Sequence, residues 1–124
     1  MKRTFIALFT AARPLTALAH EVAKGPNGGP VVDSAGHHVE MVAKGTDLVL
    51  YLTEGDDRPL VSAGIKNARA LVQDGGKTTA VQLSPAEPNR LLGMRPSPLG
   101  SGARVVVSVR MADGRTVQGR FVNN

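Results

Sequence analysis

Arg104-Val105-Val106-Val107-Ser108-Val109-Arg110-Met111-Ala112-Asp113-Gly114-Arg115-Thr116-Val117-Gln118-Gly119-Arg120-Phe121-Val122 is the stretch that decides the fold. Val105, Val107, Val109 and Met111 recur at every second position, with Arg104, Val106, Ser108 and Arg110 between them. Successive strand side chains point to opposite faces, so the first set faces inward and the second outward. Ala112-Asp113-Gly114 is turn chemistry, and Thr116 to Val122 returns with Val117 and Phe121 inward. A β-hairpin is predicted.

The same period recurs upstream. Ala68, Ala70 and Val72 alternate with Arg69, Leu71 and Gln73, and Asp74-Gly75-Gly76 leads into a returning run from Thr78 to Leu83. Asp47 to Thr53 places Leu48, Leu50 and Leu52 on one face and Val49 and Tyr51 on the other, so both faces are apolar, as a central strand requires. Gly29 to Asp33 and His37 to Ala43 flank Ser34-Ala35-Gly36 as another hairpin. Glu54 to Pro59 is a polar turn, and Leu60 to Ile65 an irregular link or short edge strand. Pro85 and Pro88 interrupt before a strand at Arg90 to Met94, and a Pro- and Gly-rich loop follows from 96 to 102. These runs total about seven or eight short strands at the spacing of an all-β, antiparallel, immunoglobulin-like sandwich over residues 29–124. Pattern alone leaves open a small barrel closed by the last hairpin.

Composition agrees. The 124 residues are 42% hydrophobic but only 3% aromatic, with 14 Gly and 8 Pro, so the core is built from aliphatic side chains on short elements. The chain has no Cys, which excludes disulfides, thiolate metal centres and thiol nucleophiles. Lys2, Arg3 and Arg13 contribute to the net charge of +5 from the first nineteen residues. Met1-Lys2-Arg3, the apolar run Thr4 to Ala12 and Ala17-Leu18-Ala19 make the three parts of an export signal, residues 1–19, followed by a flexible segment, 20–28. A buried N-terminal helix is the alternative. The apolar run is too short for a membrane anchor, so a protein of the periplasm or the exterior is expected. Lys24, Lys66, Arg90, Arg104 and Arg120 are scattered along the sequence without stacking aromatics, and no nucleic-acid partner is expected.

Histidines occur at 20, 37 and 38. Imidazole is a common ligand of transition metals, and His20, freed by cleavage after Ala19, would add its α-amino nitrogen; otherwise it is a tail residue. His37 and His38 are neighbours on a strand and point to opposite faces. If Val39 and Met41 enter the core, His37 goes with them, and His38 with Glu40 forms an outward pair. That pair is either a solvated polar face or a site for a divalent ion such as Cu, completed by His20 and Asp33, with His37 as a fourth candidate ligand beside His20, His38 and Glu40 where a bulge turns it to their face. Gly25 to Pro30 is loop, with no following helix to hold phosphate. The side chains of Asp33, Ser34 and His37 cannot converge as a hydrolytic triad from one hairpin, and no enzyme is expected.

Gly28-Gly29-Pro30-Val31-Val32-Asp33, then His38 to Lys44, then Leu48 to Leu52, resembles small secreted proteins of Gram-negative bacteria and the N-terminal extension of periplasmic adaptor subunits of heavy-metal efflux pumps. Relatives of that pattern carry a histidine before the Gly-Gly, where Asn27 stands here. The resemblance implies an accessory role in heavy-metal handling, with a metal-efflux adaptor or another periplasmic protein as partner. The competing expectation is a metal-free module that binds a protein through an exposed strand edge.

Overall fold

The computed structural model describes residues 23–123, so the expected export signal and His20 lie outside the described residues. Nine strands follow in order: β1 Val31–Ser34, β2 His37–Lys44, β3 Asp47–Glu54, β4 Asn67–Asp74, β5 Lys77–Gln82, β6 Ser84–Ala86, β7 Arg90–Met94, β8 Arg104–Arg110 and β9 Thr116–Val122. Two antiparallel sheets result, ordered β1-β2-β3-β7-β6 and β5-β4-β8-β9. The chain changes sheet in groups: β1 to β3 build one, β4 and β5 the other, β6 and β7 return, and β8 and β9 finish the second. The all-β sandwich read from the alternation is what forms.

Turn chemistry fixes the registers. Ala35 and Gly36 both take positive φ, 51° and 81°, and Gly75 and Gly76 do the same at 59° and 83°. Two-residue turns of this hand match the twist of the strands they join. The first turn therefore uses Ala35-Gly36 alone, Ser34 stays in β1 opposite His37, and every side chain of β2 is committed to one face.

The predicted inward set is the core. Leu48, Leu50 and Leu52 of β3 meet Ala68, Ala70 and Val72 of β4 and Val105, Val107 and Val109 of β8, all buried. Burying each Leu or Val contributes about 1.5–3 kcal/mol. Val117 and Phe121 close one side, while Gly119 of β9 leaves room for Val32 of β1, whose Cγ2 lies 2.7 Å from where a Cβ would stand. That close approach, with the Gln118 amide donating to Ser34 Oγ at 3.1 Å, draws β1 against the neighbouring sheet.

Three sequence expectations change. The first strand begins at Val31 rather than Gly29, because the Gly29 amide is spent on a side chain of β2. The strand count rises to nine with β6, which contains Pro85; proline lacks the N–H a central ladder needs, yet β6 is an edge strand, where that loss is tolerated. Residues 23–28, expected as part of a flexible lead-in, are held to the sandwich. The Val31 amide donates to the Ala23 carbonyl at 3.0 Å, the Gly25 amide to the Gly29 carbonyl at 2.8 Å, and Lys24 bridges Pro30.

Candidate functional site

The two adjacent histidines of β2 end in opposite environments, as alternation demands. His37, on the inward phase with Val39 and Met41, is only 6% exposed. It lies at one end of the sandwich, opposite Glu54 of β3, in a cleft of about 300 Å³ whose walls include Leu60, Ile65, Met111 and Arg115. Its Nδ1 is 3.4 Å from Glu54 Oε1 without making a hydrogen bond, and its Nε2 is 3.5 Å from an Arg115 guanidinium nitrogen. Arg115 is itself tied to Asp113, whose carboxyl is held below its ordinary value of 3.8 by the Arg115 amide and guanidinium. The expected placement of His37 with the core is what the fold produces.

His38 projects from the outer surface between two carboxylates. Asp33, its cross-strand partner on β1, puts Oδ1 3.2 Å from Nε2. On the other edge of the ring, Asp57 Oδ1 is 3.7 Å from Nδ1. Asp57 reaches this position because the chain doubles back after β3: the Glu54 amide donates to the Arg58 carbonyl at 2.7 Å, the Asp57 amide to the Glu54 carbonyl at 2.9 Å, and Asp57 takes a φ of 71°. Beside it, Arg58 donates to Asp56 at 2.7 Å and keeps that carboxyl below its ordinary value. Sequence reasoning treated residues 54–59 only as a turn and missed Asp57. The one available signal was the acidic pair Asp56-Asp57 directly after a strand.

Glu40 does not share the exposure of His38, although it shares its phase. It is 4% exposed, because residues 23–30 fold over it. Its Oε2 accepts from the Asn27 amide at 2.9 Å and the Gly29 amide at 2.8 Å, and its Oε1 from the Asn27 side-chain amide at 3.1 Å. A buried carboxylate needs such donors, and here three of them come from one loop. Gly25 and Gly29 make the cover possible. A Cβ on Gly25 would strike the Glu40 carboxylate, and one on Gly29 the Met41 carbonyl. Asn27 is thus a donor to Glu40 through both its backbone and its side-chain amide.

Among the four expected metal ligands, then, His38 is set beside Asp33, Glu40 is engaged by the loop, His37 lies on the inward phase, and His20 is outside the described residues. Among the described residues, no group of three or more His, Cys, Asp and Glu is arranged to hold one metal ion. The reason is geometric: Asp33 and Asp57 approach different nitrogens of the same ring, so one ion at Nε2 can take Asp33 but not Asp57. Comparison of the chain with protein-family models, curated proteins and solved structures gave no match.

Proposed function

We propose that the protein is an exported accessory of heavy-metal handling, a carrier rather than a catalyst, which takes a divalent ion such as Cu(II) at His38 and Asp33. A single observation carries this reading: the 3.2 Å between His38 Nε2 and Asp33 Oδ1. Nitrogen and oxygen donors bind such ions at about 2.0–2.2 Å, so two of them at right angles stand roughly 3 Å apart. Asp57, with its carboxylate 3.7 Å from Nδ1, favours by its charge the tautomer that leaves Nε2 free to ligate, the part an outer carboxylate plays at many metal-bound imidazoles. Water and His20, with its α-amino group, supply the remaining positions in this proposal. The leader-like first nineteen residues support export to the periplasm, and the likeness to efflux-adaptor extensions supports such an adaptor as partner.

Titration of the protein beginning at His20 with Cu(II) tests this. A visible d–d band at one equivalent is expected. The band should fade in His38→Ala, Asp33→Asn should weaken binding about tenfold or more, and Glu40→Gln should leave the band in place. A band insensitive to His38→Ala overturns the assignment.

A second reading, the metal-free interaction module, has its own supporting observation. Val42, Val49 and Leu92 stand side by side across β2, β3 and β7 on the outer face, with Met94 70% exposed beside them. Without a Cu(II) band, this apolar row becomes the leading candidate for function.

A further inference from the structure

The outer face of the four-stranded sheet carries Arg69 on β4, Arg104 and Arg110 on β8 and Arg120 on β9, all exposed. They are far apart in sequence, and only register assembles them. Arg69 pairs with Ser108, two positions from Arg110, and Arg120 pairs with Val106, two positions from Arg104. Each combination is a diagonal neighbour pair, about 7–8 Å apart at the backbone. The two pairs lie towards opposite ends of β8, and their outermost members, Arg104 and Arg110, stand about 20 Å apart at a strand rise of about 3.4 Å per residue.

Among the described residues, no carboxylate neutralises them. The ion pairs among the described residues involve Arg58, Arg95, Arg115, His37 and His38, and none of these four arginines. The carboxylates from Asp33 to Asp57, and Glu87, belong to the five-stranded sheet and its loops. Asp74 accepts from the Gly100 amide, and Asp113 is paired with Arg115. Arg69 and Arg110 also line a shallow basin of about 330 Å³ with Asn67, Gln82, Ser108 and Thr116, an all-polar set.

Charge and side-chain chemistry together name the occupant. A guanidinium presents paired donors that fit a carboxylate in two-point contact, the amides and hydroxyls of Asn67, Gln82, Ser108 and Thr116 beside Arg69 and Arg110 match peptide groups, and the outward Leu71 and Val106 between the two pairs offer a short apolar strip for an intervening side chain. Among the described residues the aromatics are Tyr51, on the other sheet, and Phe121, in the core, so this face has no platform for stacking bases. We propose that it docks an extended acidic segment of a partner protein, with carboxylates at Arg69/Arg110 and at Arg104/Arg120. The span of about 20 Å corresponds to about six residues of extended chain. The proposal stands independently of any metal at His38.

Fluorescence anisotropy with a labelled Glu- and Asp-rich peptide of about a dozen residues, long enough for the six-residue span with flanks, tests it on the protein beginning at His20. Binding that weakens steeply as salt rises is expected. Arg69→Gln/Arg110→Gln and Arg104→Gln/Arg120→Gln should each weaken it about tenfold, and Arg69→Lys/Arg110→Lys by an intermediate amount, because lysine keeps the charge but loses the fork. Arg90→Gln, on the opposite sheet, should change nothing, and circular dichroism should show every variant folded. Absence of peptide binding, equal loss in Arg90→Gln, or tighter binding of a charge-matched DNA oligonucleotide or sulfated polysaccharide overturns the proposal.

Discussion

The two sheets share an interior and differ in the charge they show to water. Outside, the five-stranded sheet and its loops carry most of the carboxylates, His38, the apolar row through Val49 and a loop clasped onto Glu40, whereas the four-stranded sheet presents two arginine pairs, one set among amides and hydroxyls, with Leu71 and Val106 between them. One alternating code specifies both. Its inward phase accepts almost any aliphatic residue of suitable volume, so it defines the fold; its outward phase is released from that duty and can hold chemistry. The sandwich is thus a common wall with two differently equipped surfaces.

The strongest way to break the contrast is through the wall itself. Leu50→Ala removes a fully buried side chain at the centre of β3 and should cost about 2–5 kcal/mol. Chemical denaturation followed by probes on each sheet should give coincident transitions at a lower midpoint; loss confined to the five-stranded sheet would mean that the two sheets fold separately.

Next comes the clasp. Glu40→Ala strands the amides of Asn27 and Gly29 without an acceptor, at about 1–3 kcal/mol. Hydrogen exchange should accelerate at Gly29 and Val31 while β8 and β9 stay protected. Equal acceleration on both sheets would blur the distinction drawn between them.

A smaller effect sharpens the other side. Gly76→Ala puts a Cβ on a residue whose φ is 83°, at a cost of about 1–2 kcal/mol. Thermal melts should show a modest loss, and chemical shifts should change around β4 and β5 only. The least effect is expected from acid. The Asp113 carboxyl is held below its ordinary 3.8 by the amide and guanidinium of Arg115, so its contribution is present above that value and fades as pH falls through the lowered one. Because the group is exposed, NMR should register the fall as a local shift of the Arg115 amide, with the melting temperature nearly unchanged.

Much of this architecture was legible from residues alone. Leu48 to Leu52 announced a central strand because both phases are apolar, and the β8–β9 hairpin declared its inward set without ambiguity. The opposite fates of His37 and His38 followed from Val39 and Met41. Strand β6 was hidden because Pro85 reads as a breaker, and only an edge position makes it acceptable. The burial of Glu40 was hidden too, since the loop that covers it has no period to read. Asp57 and the arginine pairs depend on where the chain doubles back and on cross-strand register, neither of which is a local property of sequence.

Pro85 has a further consequence. The strand that bears it is three residues long and offers an incoming chain almost no ladder to extend, while at the far border of the same sheet β1 leans on β9 and Ser34 takes the Gln118 amide. Two fringes where a foreign strand would add itself are thereby blunted. On this sheet visitors must land on the broad surface instead of stitching onto a hem, and identical copies gain little by lining up along its borders.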